Sequence, residues 1–145
     1  MANIFDVAKY ILTYIGGVST MKLQKLCYYS LVESLRRDPE HPLFCERFEA
    51  WANGPVCREL FDVHKGKFTV NKAMIPNKLL SDDFSSEDAK IVSEVIEKYG
   101  VFSGAELSEK THREAPWTKA REGYLPTESC NVRIKNSDIC EFYRN

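Results

Sequence analysis

Met21-Lys22-Leu23-Gln24-Lys25-Leu26-Cys27-Tyr28-Tyr29, running on through Leu31, Val32 and Leu35 to Arg36-Arg37, reads as one long helix starting at Ser19 or Thr20. Leu23, Leu26, Cys27, Leu31 and Leu35 recur at helical spacing and form one apolar stripe. Tyr28, Tyr29 and Val32 widen that stripe, which predicts a central helix covered on more than one side. Arg36 and Arg37 suit its negative C-terminal end, and Pro39 and Pro42 stop it. Lys22 and Lys25 are read as lying opposite the leucines, on a solvated face. The other reading makes them, with Tyr28 and Tyr29, a basic-aromatic contact for nucleic acid.

Working outward, Ile4, Val7, Ala8, Ile11, Leu12 and Ile15 predict an amphipathic helix over 3–15. Asn3 is placed to cap it and Gly16-Gly17 to close it. Residues 44–55 hint at a short strand, and Asn53-Gly54-Pro55 at a turn with Pro55 opening a helix that ends near His64. Phe68-Thr69-Val70 suggests a second strand, and residues 71–84 a mobile connection. Ser85 with Asp88, and Ser103 with Glu106, resemble capping boxes that open two further helices. Pro116 starts a short helix bearing Trp117, Val132 and Ile134 suggest a last strand, and Ser137 is read as the cap of a C-terminal helix. The expected fold is mainly α: a compact single domain over 1–145, with five or more helices and two or three very short β-strands.

Composition narrows the partners. Hydrophobic residues make up 43% of the 145-residue chain, enough for a core. Twenty Lys+Arg against 21 Asp+Glu leave a net charge of −1, without the basic excess usual in nucleic-acid binders. No stretch is long and apolar enough to span a bilayer, and the first residues do not resemble a secretory signal. A cytoplasmic location is therefore expected, with Cys27, Cys45, Cys57, Cys130 and Cys140 as free thiols.

A search for catalytic constellations finds little. Cys57 and His64, read on one helix, would stand about 10 Å apart along its axis, too far for one zinc ion. No metal site and no cofactor are expected. A cysteine nucleophile with a histidine base is formally available, but no local motif supports it. The Thr111-to-Trp117 corner is different. There His112 can complement a helix C-terminus, and His112 with Trp117 can lock the turn by bonding to backbone.

Three blocks together resemble a known family. They are Met21 to Tyr29; Phe48-Glu49-Ala50-Trp51-Ala52-Asn53-Gly54-Pro55-Val56 continuing to Leu60-Phe61-Asp62; and Leu107-Ser108 through Thr111-His112 to Pro116-Trp117, followed by Ala120-Arg121. In order and spacing they are similar to the Panacea, or SocA-like (phage-associated GepA-like), antitoxin domain. That resemblance implies a non-enzymatic antitoxin of a toxin–antitoxin system, which neutralises a cognate toxin by direct protein–protein binding. The SocA-type member is an adaptor that delivers its toxin to a protease, so a protease is a further implied partner. A small Cys/His hydrolase and a DNA-associated regulatory module stand as alternatives. With the domain filling the chain, no appended DNA-binding segment is expected.

Interfaces are anchored by Trp, Tyr and Arg. The candidate partner-binding residues are therefore Trp51, Trp117 and Arg121, with Asn53 and His112 at the polar edge. Gly54, Pro55 and Pro116 are read as structural. Two readings of Trp51 and Trp117 stay open, exposed anchors or core residues.

Overall fold

The computed structural model describes residues 1–144, so Asn145, the last residue of the expected domain, lies outside the described residues. The expected central helix is α2, Thr20–Arg37, capped by the Ser19 hydroxyl, which accepts from the Lys22 backbone N–H. Every residue from Leu23 to Val32 is buried. The reason is position: α2 packs on α1 (Ile4–Ile15), α4 (Ser86–Tyr99), α5 (Gly104–His112) and α7 (Asn136–Phe142). Helices α3 (Arg58–His64) and α6 (Ala115–Ala120) complete the set, and the chain is mainly α as expected.

The caps read from sequence form. Asn3 and Asp6 exchange reciprocal hydrogen bonds at the start of α1, as do Ser85 and Asp88 at α4 and Ser103 and Glu106 at α5. The apolar interior then runs from Ile4 to Ile139 as one cluster. Within it Tyr28 meets Phe48 edge-on at 5.3 Å, and Tyr29 stacks on Tyr99 at 4.8 Å.

Two antiparallel ribbons flank the helices. Strands β1 (Val18–Ser19) and β4 (Thr69–Val70) pair beside the N-terminus of α2. Strands β2 (Phe48–Trp51) and β3 (Gly54–Cys57) form a hairpin against α2 and α5. Residues 132–134 add a third rung to β2, through a bridge between Glu49 and Arg133.

Several expectations are corrected. Pro55 does not open a helix; it sits in β3 opposite Ala50. The Ala50 N–H donates to Val132 O at 2.8 Å and its carbonyl accepts from Arg121 at 2.7 Å, so both aim away from β3. Proline's missing N–H therefore falls where the ladder needs none. Helix α3 starts three residues later, at Arg58, and Cys57 and His64 do not share a helix. The 71–84 connection is strapped across α1: Lys9 Nζ donates to Ile75 O and Asn77 Oδ1, both at 2.8 Å, and Asn3 Nδ2 to Leu79 O. Ser137 is not a cap, because the first turn of α7 already starts at Asn136.

Candidate functional site

Lys25 is not on a solvated face. It is 1% exposed, and burial lowers its pKa to about 7. Its Nζ donates to Pro55 O at 3.2 Å, from beneath the β2–β3 hairpin. Lys22 is half-buried, its Nζ donating to Gly100 O at 2.6 Å. A helix enclosed on every side offers no solvated stripe, which is why both the polar-face and the nucleic-acid readings of Lys25 fail.

The same hairpin is held by donors from two other segments. Arg121 donates to Ala50 O, Trp117 Nε1 donates to Trp51 O at 2.9 Å, and the Ser108 hydroxyl donates to Asn53 O. Gln24 Nε2 donates to Cys57 O at 3.1 Å, and its Oε1 accepts from the Cys57 N–H at 2.9 Å. The His112 ring faces the Ala52 backbone and stacks on Trp117 at 4.2 Å. Side chains of α2, α5 and α6 thus hold the tip's carbonyls in a cradle. Bonds of this kind each contribute about 1 kcal/mol net, and more when the donor is charged.

Gly54 shows how close the approach is. Its φ is +109°, and a β-carbon there would lie 2.7 Å from Lys25 Cε and 2.9 Å from Thr111 Oγ1. Only glycine fits both the left-handed backbone and the contact. Buried Pro116 sits in the first turn of α6 and delivers Trp117 to the cradle.

Of the five residues expected at a partner surface, the structure brings all to this tip but at different depths. Trp117 (7% exposed) and Arg121 (4%) belong to the interior. Arg121 also donates to Leu125 O and Glu128 O, and its guanidinium lies 5.1 Å from the Trp117 ring centre. His112 is half-buried, its Nε2 buried without a partner, and burial lowers its pKa, with Lys25 adding to the effect. Trp51 is half-buried and Asn53 exposed. Trp51 packs edge-on against Phe61 at 4.9 Å, lies under Arg58, and donates from Nε1 to Glu49.

Beside the tip lies a groove of about 510 Å³, lined by Trp51, Asn53, Val56 and Arg58 on one side and Ser129, Cys130 and Asn131 on the other. The reading from sequence missed Gln24, Lys25 and Ser108 as parts of this assembly, although all three stand inside the quoted blocks.

Other titratable groups are committed to structure. Buried Glu114 accepts from the Tyr29 hydroxyl at 2.8 Å and pairs with Lys110 at 2.6 Å. The Cys57 thiol is pushed up to about 12 by burial, and His64, lowered by burial, bonds Gln24 at 3.0 Å. Among the described residues no three His, Cys, Asp or Glu side chains gather as a metal-ion ligand set, and no helix is long and apolar enough to cross a membrane.

Comparison with known proteins gives one finding. The family description "Antitoxin SocA-like, Panacea domain" matches residues 23–118. No curated protein and no solved structure matches. The matched span contains most of α2, the hairpin, α5 and the start of α6, and so almost the whole cradle.

Proposed function

The chain belongs to the SocA-like Panacea antitoxin domain family, and from that premise we propose that it neutralises a partner toxin by direct contact through the β2–β3 tip and its groove. A partner of this kind is what the family implies; the contact surface is our reading. The observation that carries it is the cradle. Six side chains from three segments, Gln24, Lys25, Ser108, Thr111, Trp117 and Arg121, surround one short hairpin. Ordering a loop on binding costs affinity, so a tip already held in one shape binds more tightly for the same contacts.

In this reading Trp51 and Asn53 touch the partner, while His112, Trp117 and Arg121 carry the tip from behind. Trp51 supplies the aromatic anchor, and Asn53 supplies amide hydrogen bonds at its rim. The role is binding without catalysis. Supporting that, the Cys57 thiol is held protonated far above neutrality, and its Sγ lies 3.5 Å from Glu59, whose carboxylate disfavours the thiolate. His64 is turned to Gln24. A Cys/His hydrolase needs the opposite arrangement.

Co-expression with the product of the neighbouring gene tests the proposal. Growth rescue and a stable co-purified complex are expected. A toxic neighbour that still kills the cell while this chain is folded and abundant would contradict it.

A further inference from the structure

The extended segment at residues 131–133 has one edge bonded and one edge bare. Val132 O accepts from Ala50 N–H, and Ile134 N–H donates to Phe48 O, both at 2.8 Å. These bonds flank the Glu49–Arg133 bridge and fix the alternation. Groups of Val132 and Ile134 point to β2, so those of Asn131 and Arg133 point the other way. Asn131, Val132 and Arg133 are all exposed, and among the described residues the backbone of Asn131 and Arg133 makes no hydrogen bond.

We infer that this edge takes an extended, acidic segment of a partner protein, which adds a further strand to the β3–β2–132–134 sheet. The chemistry of recognition is main-chain hydrogen bonding from Asn131 and Arg133. The charge sets the sign of the segment. Arg133 and Lys135 are exposed at the edge; the Glu49 carboxylate across from Arg133 interacts with it but is bonded directly by Arg58 at 3.1 Å and by Trp51 Nε1 at 2.8 Å, so the edge keeps a net positive charge. A second copy of this chain pairing antiparallel about Arg133 would set like charges opposite each other, which disfavours it. The groove lined by Ser129, Cys130 and Asn131 opens along the same stretch and gives an outward side chain of the segment an apolar wall in Trp51 and Val56. This inference rests on the antitoxin reading only for the identity of the protein that supplies the segment.

The test uses the full chain and a random dodecapeptide library displayed on phage. Selected peptides are synthesised, and their affinity is measured for wild type, Arg133→Ala and Arg133→Pro. Proline removes the outward N–H at an edge position where β2 loses nothing. Enrichment of acidic, β-prone peptides is expected, with Arg133→Ala weakening binding by about threefold and Arg133→Pro by at least about tenfold. Should Arg133→Pro fail to fold, hydrogen exchange on wild type decides: the amides of Asn131 and Arg133 gain protection when a selected peptide is added. Equal binding to Arg133→Pro, no selected peptide at all, or no protection at Asn131 and Arg133 overturns the inference. Loss of growth rescue bears on the antitoxin reading, and none of these results does, so the two can fail separately.

Discussion

The molecule carries two small antiparallel ribbons, and buried side-chain donors grip only one of them. The β1–β4 ribbon is held by its own backbone, by Thr20 N–H, which donates to Phe68 O at 2.9 Å, and by the buried Val70 side chain. Phe68 beside it is 92% exposed. In the β2–β3 ribbon, by contrast, every residue of β3 is buried, β3 carbonyls meet a lysine and a glutamine, and β2 carbonyls meet an indole and a guanidinium. The blocks that carry the family resemblance converge on the second ribbon. The difference teaches that those motifs encode a rigid support more than a surface.

The largest effect that would sharpen this contrast is expected at Arg121. Arg121→Met should destabilise the fold by about 4 kcal/mol in denaturant unfolding, because the buried Ala50 carbonyl and the part-buried Leu125 and Glu128 carbonyls lose a charged donor at once. The two glycines come next. Gly54→Ala should cost about 3 kcal/mol, from overpacking and left-handed strain together. Gly66, beside the free ribbon, has φ +82°, and nothing lies within 4 Å of where a β-carbon would stand. Gly66→Ala should therefore cost only about 1 kcal/mol, the backbone term alone. Equal losses at the two positions would break the comparison.

Lys25 adds a pH signature. Its folded pKa of about 7 lies below the ordinary lysine value, so the unfolded chain binds the extra proton between them. This contribution therefore makes stability rise with pH above neutrality, by up to about 1.4 kcal/mol per pH unit until the ordinary lysine pKa is reached. Lys25→Met should remove that slope, as measured by melts at pH 7.5 and 9. Smaller still, Trp117→Phe should cost about 1 kcal/mol, leaving Trp51 O without its indole donor. Phe68→Ser, on the free ribbon, should change stability by less than about 0.5 kcal/mol.

Much of the fold was legible in sequence because caps and apolar spacing are local signals. Asn3, Ser85 and Ser103 each announce a helix within four residues. What stayed hidden depends on contacts distant in the chain. Lys25 reads as polar, and its burial follows only once α2 is seen to be wrapped on all sides; Tyr28, Tyr29 and Val32 were the available hint. Pro55 reads as a helix opener because a single sequence does not show which way the Ala50 backbone points. Strand β1 leaves no mark in the sequence, since two residues at Val18–Ser19 carry no alternation of their own. At the site, the aromatic and arginine anchors were legible by type, but their depth was not: Trp117 and Arg121 are interior while Trp51 and Asn53 reach solvent.

The central claim is that the supported ribbon is the one that meets the partner. The direct measurement is the affinity of the co-purified toxin for Trp51→Ala/Asn53→Ala and for Phe68→Ser, each confirmed folded by its melt. The tip variant should lose at least about a hundredfold in affinity, and the Phe68 variant should bind like wild type. Unchanged binding by the tip variant, or loss confined to Phe68→Ser, would contradict the assignment of the cradle to partner recognition.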